Sequence, residues 1–284
     1  MDPLQIDLHM HSSVSDGTDT PAQILEKVKQ AGIGLFSLTD HDAIKGSREI
    51  MTMLREGDPA FIPGVEFSCQ DDQGKYHILG LAYDPAAVSI QAVVDLGHEY
   101  RMRKVRGRMA KLTEEFGLVF PEEEVVKLLN YDNPGKPHIG NLMVKLGYAE
   151  SKEQAIREII NKVHFRGEYV RPEEAIRGIL DAGGIPVLAH PSYGSGDQLI
   201  FGEEMEERIQ RLIGFGLQGL EVFYSGFTPR IRKELLTYAD RYGLYITAGS
   251  DYHGRNKLIA MGDTGLAGQE FPEGLKRFLD KVLP

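Results

Sequence analysis

Seven short apolar runs, most of them separated by helical patterns, constrain the fold of this chain more than any other feature. Each run is bounded by turn signals, which is the pattern of a buried strand. In order they are LQIDLHMH, LFSLTDHD, FIPGVEFS, YHILGLAY, IPVLAHPS, GLEVFYS and YITAGSDYH. Strands that alternate with helices argue for a parallel sheet with helical crossovers, either doubly wound or closed as a barrel.

Helical patterns fill most of the intervals between these runs. The clearest one follows Thr20, has Pro21 in its first turn and is predicted to end at Gly32. Similar patterns follow as EEAIRGILDAGG, EEMEERIQRLIGFG and TPRIRKELLTYADRYG. The expected class is therefore α/β.

The alternation is interrupted in the middle of the chain. Residues 88–172 hold helical segments in succession, SIQAVVDLGHEYRMRKVRGRMAKLTEEFG, PEEEVVKLLNY and SKEQAIREIINKV, with no convincing strand among them. We interpret this block as a helical insertion, with a turn at residues 133–137. The α/β domain is then expected to comprise residues 1–87 and 173–284.

Composition limits the classes of function. With 284 residues, 42% of them hydrophobic and 26% charged, the chain is long enough for a sizeable core and has an ordinary globular composition. The formal net charge of -10 argues against wrapping double-stranded nucleic acid, because that binding depends on cationic side chains. The single cysteine, Cys69, excludes an internal disulfide. No apolar run is long enough for a membrane helix and the N-terminus lacks a leader pattern, so we expect a cytoplasmic protein.

Candidate metal ligands recur where the predicted strands end. The first strand ends with two histidines, an aspartate follows in the next loop, and further histidines and carboxylates mark five of the other strands. These candidates are His9, His11, Asp16, Asp40, His41, Glu66, His77, His190, Asp251 and His253. The sixth strand ends near Glu221, which has no histidine beside it.

Residues at the carboxyl ends of parallel strands converge at one edge of a sheet or barrel. Residues at spacing i, i+2 also point to one face of a strand. His9 with His11, and Asp251 with His253, are therefore expected to form two pairs of ligands, each on one face of its strand.

Each residue also has an ordinary structural alternative. A lone histidine at a strand end commonly makes hydrogen bonds, Asp40 suits a turn or a helix N-cap, and Asp16 suits the turn Ser-Asp-Gly-Thr. Six of the nine histidines fall at these positions together with three acids besides Asp40, however, and this joint placement favours a metal site. We interpret His98 as a solvated helix residue and assign no role to His164.

The segments DLHMHSSVSDGT, LTDHD, GVEFS, LAHPS and GSDYHG together resemble the PHP (polymerase and histidinol phosphatase) domain family over most of the chain. The resemblance implies a distorted seven-stranded β/α barrel, similar to a TIM barrel, that holds up to three metal ions at the strand ends. The insertion, with its segment GKPHIG, is similar to that of stand-alone PHP phosphoesterases acting on nucleotides. The family more often has arginine where this chain has Lys136.

The resemblance also implies how the ligands are shared. One ion would be held by His9, His11, Glu66 and Asp251, a second by Glu66, His77 and His190, and a third by Asp16, His41 and His253. The residues expected to act directly in catalysis are His9, His11, Glu66, Asp251 and His253. Six imidazoles suit Mn²⁺ best, with Fe²⁺ or Zn²⁺ as alternatives, and suit Mg²⁺ less, since Mg²⁺ prefers oxygen ligands.

The expected reaction is hydrolysis of a phosphate monoester of a nucleotide, because clustered divalent ions lower the pKa of water and clamp phosphoryl oxygens. The resemblance favours the 3'-phosphate of 3',5'-bisphosphonucleotides such as 3',5'-bisphosphoadenosine. Within the insertion, Arg103, Arg106, Lys136 and His138 are candidates for binding substrate, since arginine binds phosphate with two hydrogen bonds.

Three alternatives remain open. Two are enzymes, a 5'-3' exoribonuclease acting on short RNA and a histidinol phosphatase, although GKPHIG speaks against the latter. The third is a non-catalytic, metal-stabilised interaction module, which the loss of ligands would favour. No membrane contact and no obligate protein partner are expected.

Overall fold

The computed structural model describes residues 4–131, 134–163, 165, 167–194 and 198–283. The chain divides into two compact units, Met1–Val94 with Val170–Pro284, and Asp95–Tyr169. The division at Val94 falls inside a long helix that begins at Val88, whereas the sequence placed the start of the insertion at the start of that helix. His164 lies outside the described residues.

Within the described residues, eight strands, all in the first unit, replace the seven predicted ones. They are β1 (Ile6–Asp7), β2 (Leu35–Phe36), β3 (Ala60–Phe61), β4 (Gly64–Asp71), β5 (Gly74–Leu81), β6 (Ile185–Leu188), β7 (Gly219–Tyr224) and β8 (Tyr245–Gly249). The predicted run FIPGVEFS is split between β3 and β4. Pro63 lies at the break, and it has no N–H with which to continue a ladder.

The strands form two sheets, ordered β1-β2-β3 and β4-β5-β6-β7-β8. Pairing is parallel in the first sheet and between β6, β7 and β8. The expectation of a parallel sheet is confirmed only in part, because β5 runs antiparallel to both β4 and β6. Only residues 72–73 separate β4 from β5, and a parallel connection needs a much longer crossover.

Two isolated bridges connect the sheets beyond the ends of the short strands. Met10 pairs with Tyr252 next to β8, and His41 pairs with Glu66 within β4. The Asp251 N–H donates to the His9 carbonyl at 2.8 Å, so the chain after β1 lies beside the chain after β8. The fold is thus a mixed α/β arrangement, and the closed seven-stranded barrel stays a prediction.

Among the described residues, six helices of the first unit lie outside the long helix shared with the insertion. They are α1 (Pro21–Gln30), α2 (Lys45–Met53), α7 (Pro172–Asp181), α8 (Gly202–Phe215), α9 (Pro229–Arg241) and, at the end of the chain, α10 (Glu273–Val282), the last of which, like α2, was not predicted. The first is confirmed as predicted: Thr20 caps it through its hydroxyl, and Gly32 follows its end with φ +70°. Helices α7, α9 and α10 pack against β5, β7 and β8.

The remaining helices, α3 to α6, begin with the long one and continue through the second unit. They are α3 (Val88–Phe116), α4 (Glu122–Leu129), α5 (Lys136–Lys145) and α6 (Lys152–Gln154), the last continuing as a π turn over Ala155–Ile159 and a 3₁₀ turn over Ile160–Lys162. The predicted turn at residues 133–137 is wrong at its end, because Lys136 and Pro137 begin α5; Asn133 lies outside the described residues. Proline suits this position, since the first helical N–H has no partner within the helix.

Each unit has its own hydrophobic core. Among the described residues, one apolar cluster of the first unit includes Met10, Phe36 and Leu38, and the second unit packs Leu112, Ile139 and Met143 together. Within the part of the chain that the structure describes, we find no helix long and apolar enough to cross a membrane.

Candidate metal centre

All nine proposed ligands lie in the first unit, on segments that leave or belong to its strands. His9 and His11 follow β1, and Asp16 lies in the loop beyond them. His41 follows β2 and His190 follows β6. Glu66 and His77 lie within β4 and β5, and Asp251 and His253 follow β8.

His77 reaches the cluster by a route that differs from the prediction. It lies in the first half of β5, not at the end of a strand, and it pairs with Ser68 of β4. Since Ser68 and Glu66 are two residues apart, their side chains share a face of β4, and the antiparallel register brings His77 to that face as well. Nδ1 of His77 lies 2.8 Å from Oε1 of Glu66.

The carboxylate of Glu66 is the centre of the cluster, and its side chain is 1% exposed. Oε1 lies 2.8 Å from His77 Nδ1 and 3.1 Å from His190 Nε2. The other oxygen, Oε2, lies within 3.1–3.2 Å of one ring nitrogen from each of three further histidines, His9, His11 and His41. One carboxylate therefore faces five imidazoles, two through one oxygen and three through the other.

Asp251 lies beside His9 and His11, the two histidines that follow β1. Its Oδ1 is 3.6 Å from Nε2 of His9, 3.4 Å from Nε2 of His11 and 3.3 Å from Nδ1 of His253. Candidate ligand atoms of His9, His11 and Asp251 all lie within 4.8 Å of one another.

The carboxylate of Asp16 lies close to a second set of imidazoles. Its Oδ1 is 3.2 Å from Nε2 of His253, and its Oδ2 is 3.9 Å from Nε2 of His41. Nδ1 of His11 lies 3.6 Å from Asp16 Oδ1, so His11 faces both Asp16 and Glu66. Four residues, His11, Asp16, His41 and His253, form one possible metal-binding group.

The donor set fits divalent metal ions. Nε2 of His9 and Nε2 of His11 are 3.1 Å apart, a close approach of two nitrogens that a shared cation would stabilise. Nδ1 of His11 and Nδ1 of His190 are buried without a hydrogen-bond partner among the described residues. Imidazole together with carboxylate is a usual ligand set for Mn, Fe and Zn.

Two of these residues have a left-handed backbone, which is costly for residues other than glycine. His190 has φ +28° and Asp251 has φ +60°. Such conformations cost about 1–3 kcal/mol and persist where the surroundings enforce them, often at functional sites. The Asp251 N–H is held by the His9 carbonyl, and the His190 N–H donates to Oε2 of Glu221 at 2.7 Å.

The electrostatics of the two histidines after β1 favour the imidazolium when no metal is bound. Burial disfavours the charged form of His9 and would lower its pKa. The negative charges of nearby carboxylates, of which Glu221 has the largest effect, are stronger and raise the pKa of His9 well above its usual value. Burial also opposes a charge on His11, while hydrogen bonds to Asp251 and Glu66 raise its pKa to about 9. A metal ion must displace these protons, so metal binding and proton release are coupled.

The opposite behaviour at His41 separates it from that pair. Burial lowers the pKa of His41 to about 3, so its ring is neutral near pH 7. Burial would raise the pKa of Glu66, but the imidazoles of His77 and His9 and a hydrogen bond from His11 lower it well below its usual value. The pKa of Asp251 is lowered for the same reason, chiefly by His9. The acids are thus ionised and able to bind cations.

Nearly the whole chain matches one known protein family. The profile of the PHP domain matches residues 7–283 of the chain. The chain belongs to the PHP domain family. It is a metal-dependent phosphoesterase, a hydrolase of phosphoric esters.

Similar PHP proteins have different names at nearly equal identity. The chain is 30% identical to the 3',5'-nucleoside bisphosphate phosphatase of Chromobacterium violaceum, covering 87% of both chains. It is 30% identical to the phosphoribosyl 1,2-cyclic phosphate 1,2-diphosphodiesterase of Eggerthella lenta, covering 88% of this chain and 94% of that one. It is 29% identical to the 5'-3' exoribonuclease Rnm of Salmonella typhimurium, covering 90% and 87%.

The fold is shared with a solved structure from Bifidobacterium adolescentis that is described as a metal-dependent phosphoesterase. The TM-score is 0.79 at 25% identity, and the match covers 99% of this chain and 98% of that one. The likeness therefore extends over nearly the whole of both chains.

Asp40 of the PHP domain has a different role from its neighbours. Its buried carboxylate accepts hydrogen bonds from the Ser12 N–H at 2.7 Å, the Ser12 hydroxyl at 2.8 Å and the Ser15 hydroxyl at 2.7 Å. It caps no helix, since α2 begins after Ile44. Asp40 therefore fixes the loop between His11 and Asp16.

Three residues of the site were not among the predicted ligands. Glu221 is fully buried and its Oε1 lies 2.9 Å from Nδ1 of His9. The hydroxyl of Tyr224 donates to Oδ2 of Asp251 at 2.9 Å, and Nζ of Lys257 lies 2.5 Å from the same oxygen. The signal for Glu221 was its position in the apolar run GLEVFY, where a lone carboxylate is costly to bury without partners.

The predicted substrate-binding residues lie in the second unit, where their local contacts differ. Arg103 pairs with both Glu99 and Glu168, at 2.5 and 2.9 Å. Nζ of Lys136 lies 2.6 Å from the Asn161 side-chain oxygen, and the Gly135 N–H donates to Nδ1 of His138. Arg106 is exposed. Their contact with substrate stays a prediction.

Proposed function

We propose that this PHP domain removes the 3'-phosphate from 3',5'-bisphosphonucleotides such as 3',5'-bisphosphoadenosine. The observation that carries the proposal is one cluster of nine potential ligands, six imidazoles and three carboxylates, with Glu66 at its centre. A relative that matches 87% of this chain is named a 3',5'-nucleoside bisphosphate phosphatase, which supports a bisphosphonucleotide as the substrate. A complete ligand set also favours an enzyme over a non-catalytic interaction module.

Each part of the cluster has a proposed task. Divalent ions, for which Mn²⁺ is the first candidate, would act as Lewis acids on the phosphoryl group and lower the pKa of water. His9, His11, Glu66 and Asp251 would hold one ion, Glu66, His77 and His190 a second, and Asp16, His41 and His253 a third. His41 lies near enough to Glu66 and His77 to share the second position, since their ligand atoms lie within 4.8 Å of one another.

A positive charge from the chain itself lies beside these residues. Nζ of Lys257 is bonded to Oδ2 of Asp251, and the lysine side chain is 38% exposed. We propose that Lys257 attracts the anionic ester, which the formal net charge of -10 would otherwise repel.

The finer architecture is also part of the proposal. The bridges of Met10 to Tyr252 and of His41 to Glu66 support a distorted barrel in which both sheets join into one ring. From the second unit, Arg106, Lys136 and His138 are proposed to bind the nucleotide. Arg103 is a weaker candidate, because Glu99 and Glu168 already neutralise it.

Stepwise 5'-to-3' hydrolysis of short RNA is the second candidate, favoured by the 29% identity to the exoribonuclease of Salmonella typhimurium. It would use the same cluster on a diester. Histidinol phosphatase remains a further alternative within the same chemistry.

Parallel assays of the purified protein with Mn²⁺ would separate these activities. The substrates are 3',5'-bisphosphoadenosine, a 5'-phosphorylated oligoribonucleotide, histidinol phosphate and phosphoribosyl 1,2-cyclic phosphate. We expect the highest kcat/KM on 3',5'-bisphosphoadenosine, with 5'-AMP and inorganic phosphate as products. Preference for the oligoribonucleotide would replace the proposal with the second candidate. Absence of turnover on all four, with metal bound, would refute the phosphatase assignment.

A further inference from the structure

Glu221 contacts two members of the cluster that the metal assignment places at different ions. The residue lies in the middle of β7 and has no exposed surface. Oε1 is 2.9 Å from Nδ1 of His9, and Oε2 accepts the backbone N–H of His190 at 2.7 Å. Both oxygens of one buried carboxylate are therefore committed, one to a side chain and one to a backbone.

The contact with His9 determines which ring nitrogen is available for a metal. An ionised carboxylate only accepts hydrogen bonds, so the bond at 2.9 Å requires a proton on Nδ1 of His9. Nε2 is then the nitrogen that would bind metal once its own proton is displaced, and it faces Oε2 of Glu66 at 3.2 Å and Oδ1 of Asp251 at 3.6 Å. A second carboxylate behind a ligating imidazole fixes the ring and makes it a stronger ligand.

The contact with His190 holds a strained backbone. His190 has φ +28°, outside the conformations that residues other than glycine prefer. Its N–H is held by Glu221, while its ring nitrogen Nε2 lies 3.1 Å from Oε1 of Glu66. Loss of the bond to Glu221 would let this backbone relax and move the ring.

Gly249 of β8 provides the space for this arrangement. A Cβ atom at Gly249 would lie 2.3 Å from Cβ of His9 and 2.4 Å from Oε1 of Glu221, which is too close for either atom to remain in place. The bond between His9 and Glu221 thus depends on a glycine in the neighbouring strand, since β8 pairs with β7.

We infer that Glu221 is a positioning residue for two metal positions at once, because it sets the tautomer of His9 and holds the backbone of His190. The inference rests on the metal binding that the proposed function requires, but not on which ester is hydrolysed. The opposing explanation is a structural role, in which Glu221 stabilises the sheet and leaves metal affinity unchanged.

The variant Glu221→Gln separates these explanations, since it keeps the shape but replaces one oxygen by an NH₂ group. If the amide oxygen faces His190, the NH₂ group requires Nδ1 of His9 to accept, which places the proton on Nε2. If the amide is turned the other way, its NH₂ group faces the N–H of His190, and neither group can accept a hydrogen bond from the other. Either orientation impairs one of the two contacts.

The primary measurement is metal binding, by calorimetry with Mn²⁺ or Zn²⁺ and by metal content after dialysis. We expect E221Q to lose about 10- to 100-fold in affinity at one or more positions, as is typical when the outer partner of a ligating histidine is removed. Gly249→Ala should cause a similar loss without changing either partner. In the Zn²⁺-loaded wild type, nitrogen NMR should show His9 protonated at Nδ1.

Thr247→Val is the matched control. Thr247 pairs with Glu221 across β7 and β8, and its buried hydroxyl has no hydrogen-bond partner among the described residues. This variant changes the same layer of the sheet and should bind metal like the wild type.

Wild-type affinity and stoichiometry in folded E221Q would overturn the inference, and lowered stability alone would support the structural role. The outcome is independent of the substrate assignment. If the wild type hydrolyses none of the four esters, the proposed function fails, yet the comparison of metal binding still tests Glu221.

Discussion

Oε1 of Glu66 lies 2.8 Å from Nδ1 of His77, and Oε2 of Glu66 lies 3.1 Å from Nε2 of His11. The two oxygens of a single side chain thus face different groups of imidazoles. A carboxylate in this position can bridge two ions and balance part of their charge in a buried site. The same arrangement makes Glu66 the residue whose loss should affect the centre most.

Glu66→Gln should lower kcat/KM by more than about 100-fold and reduce the amount of bound metal. The amide cannot offer two charged oxygens to the surrounding ligands and ions. Turnover of the best substrate and metal content after dialysis are the measurements. Glu203→Gln, an exposed change of the same type on α8, serves as the control. Full metal content in E66Q would contradict the bridging role.

His9→Ala should abolish turnover while leaving the helical content of the protein largely unchanged. Chelation of wild-type protein with EDTA should have the same effect, and Mn²⁺ should restore activity to the wild type but not to the variant. His98→Ala, at an exposed position on α3, should behave like the wild type. Activity of H9A at the wild-type level would remove His9 from the site.

Chelated protein should become less stable as the pH rises from about 6.5 to about 9. In the folded state the pKa of His11 is raised to about 9 from an ordinary value of 6.5, and that of His9 is raised as well. The stability that these groups contribute is complete below about pH 6.5 and is lost as the pH rises through 9. Urea unfolding of EDTA-treated protein across this range measures the effect.

Saturating metal should reverse that dependence. Metal ions compete with protons for the same nitrogens, so their affinity rises with pH over this range. A chelated protein that is equally stable at both ends of the range would show that these imidazoles carry no proton in the folded state.

Asp40→Asn should destabilise the protein by about 1–3 kcal/mol, because an NH₂ group replaces an oxygen that accepts from buried donors. The carboxylate holds Ser12 and Ser15 and thereby the loop that carries Asp16. Urea unfolding gives the free energy. Asp280→Asn, an exposed change on α10, should be neutral, and an equally neutral D40N would show that the loop does not depend on this network.

Lys257→Met should lower kcat/KM on an anionic ester by about 10- to 100-fold while metal content stays unchanged. The positively charged Nζ of Lys257 lies next to Oδ2 of Asp251, beside the cluster, and Lys257 is not one of the proposed ligands. The exposed Lys276 on α10 supplies the control, K276M. If K257M loses metal but keeps kcat/KM per bound ion, the residue supports Asp251 and does not act on the substrate.

Sequence periodicity was sufficient for elements whose signals are local. Thr20, Pro21 and Gly32 mark the ends of α1 as predicted, because caps and left-handed turns depend on neighbouring residues. The turn expected at residues 133–137 was wrong at its end, because proline at a first helical position looks like a turn in sequence and the periodicity of α5 beyond it was not recognised.

The sequence by itself determined the chemistry of the site, since histidines and acids recur next to apolar runs whatever the exact topology. Only the tertiary structure decided how they meet. His77 reaches Glu66 because β5 turns back along β4, and register between strands is a non-local property. The role of Glu221 depended on residues 9 and 190, far away in the chain, so burial and distance revealed what its neighbours in sequence did not.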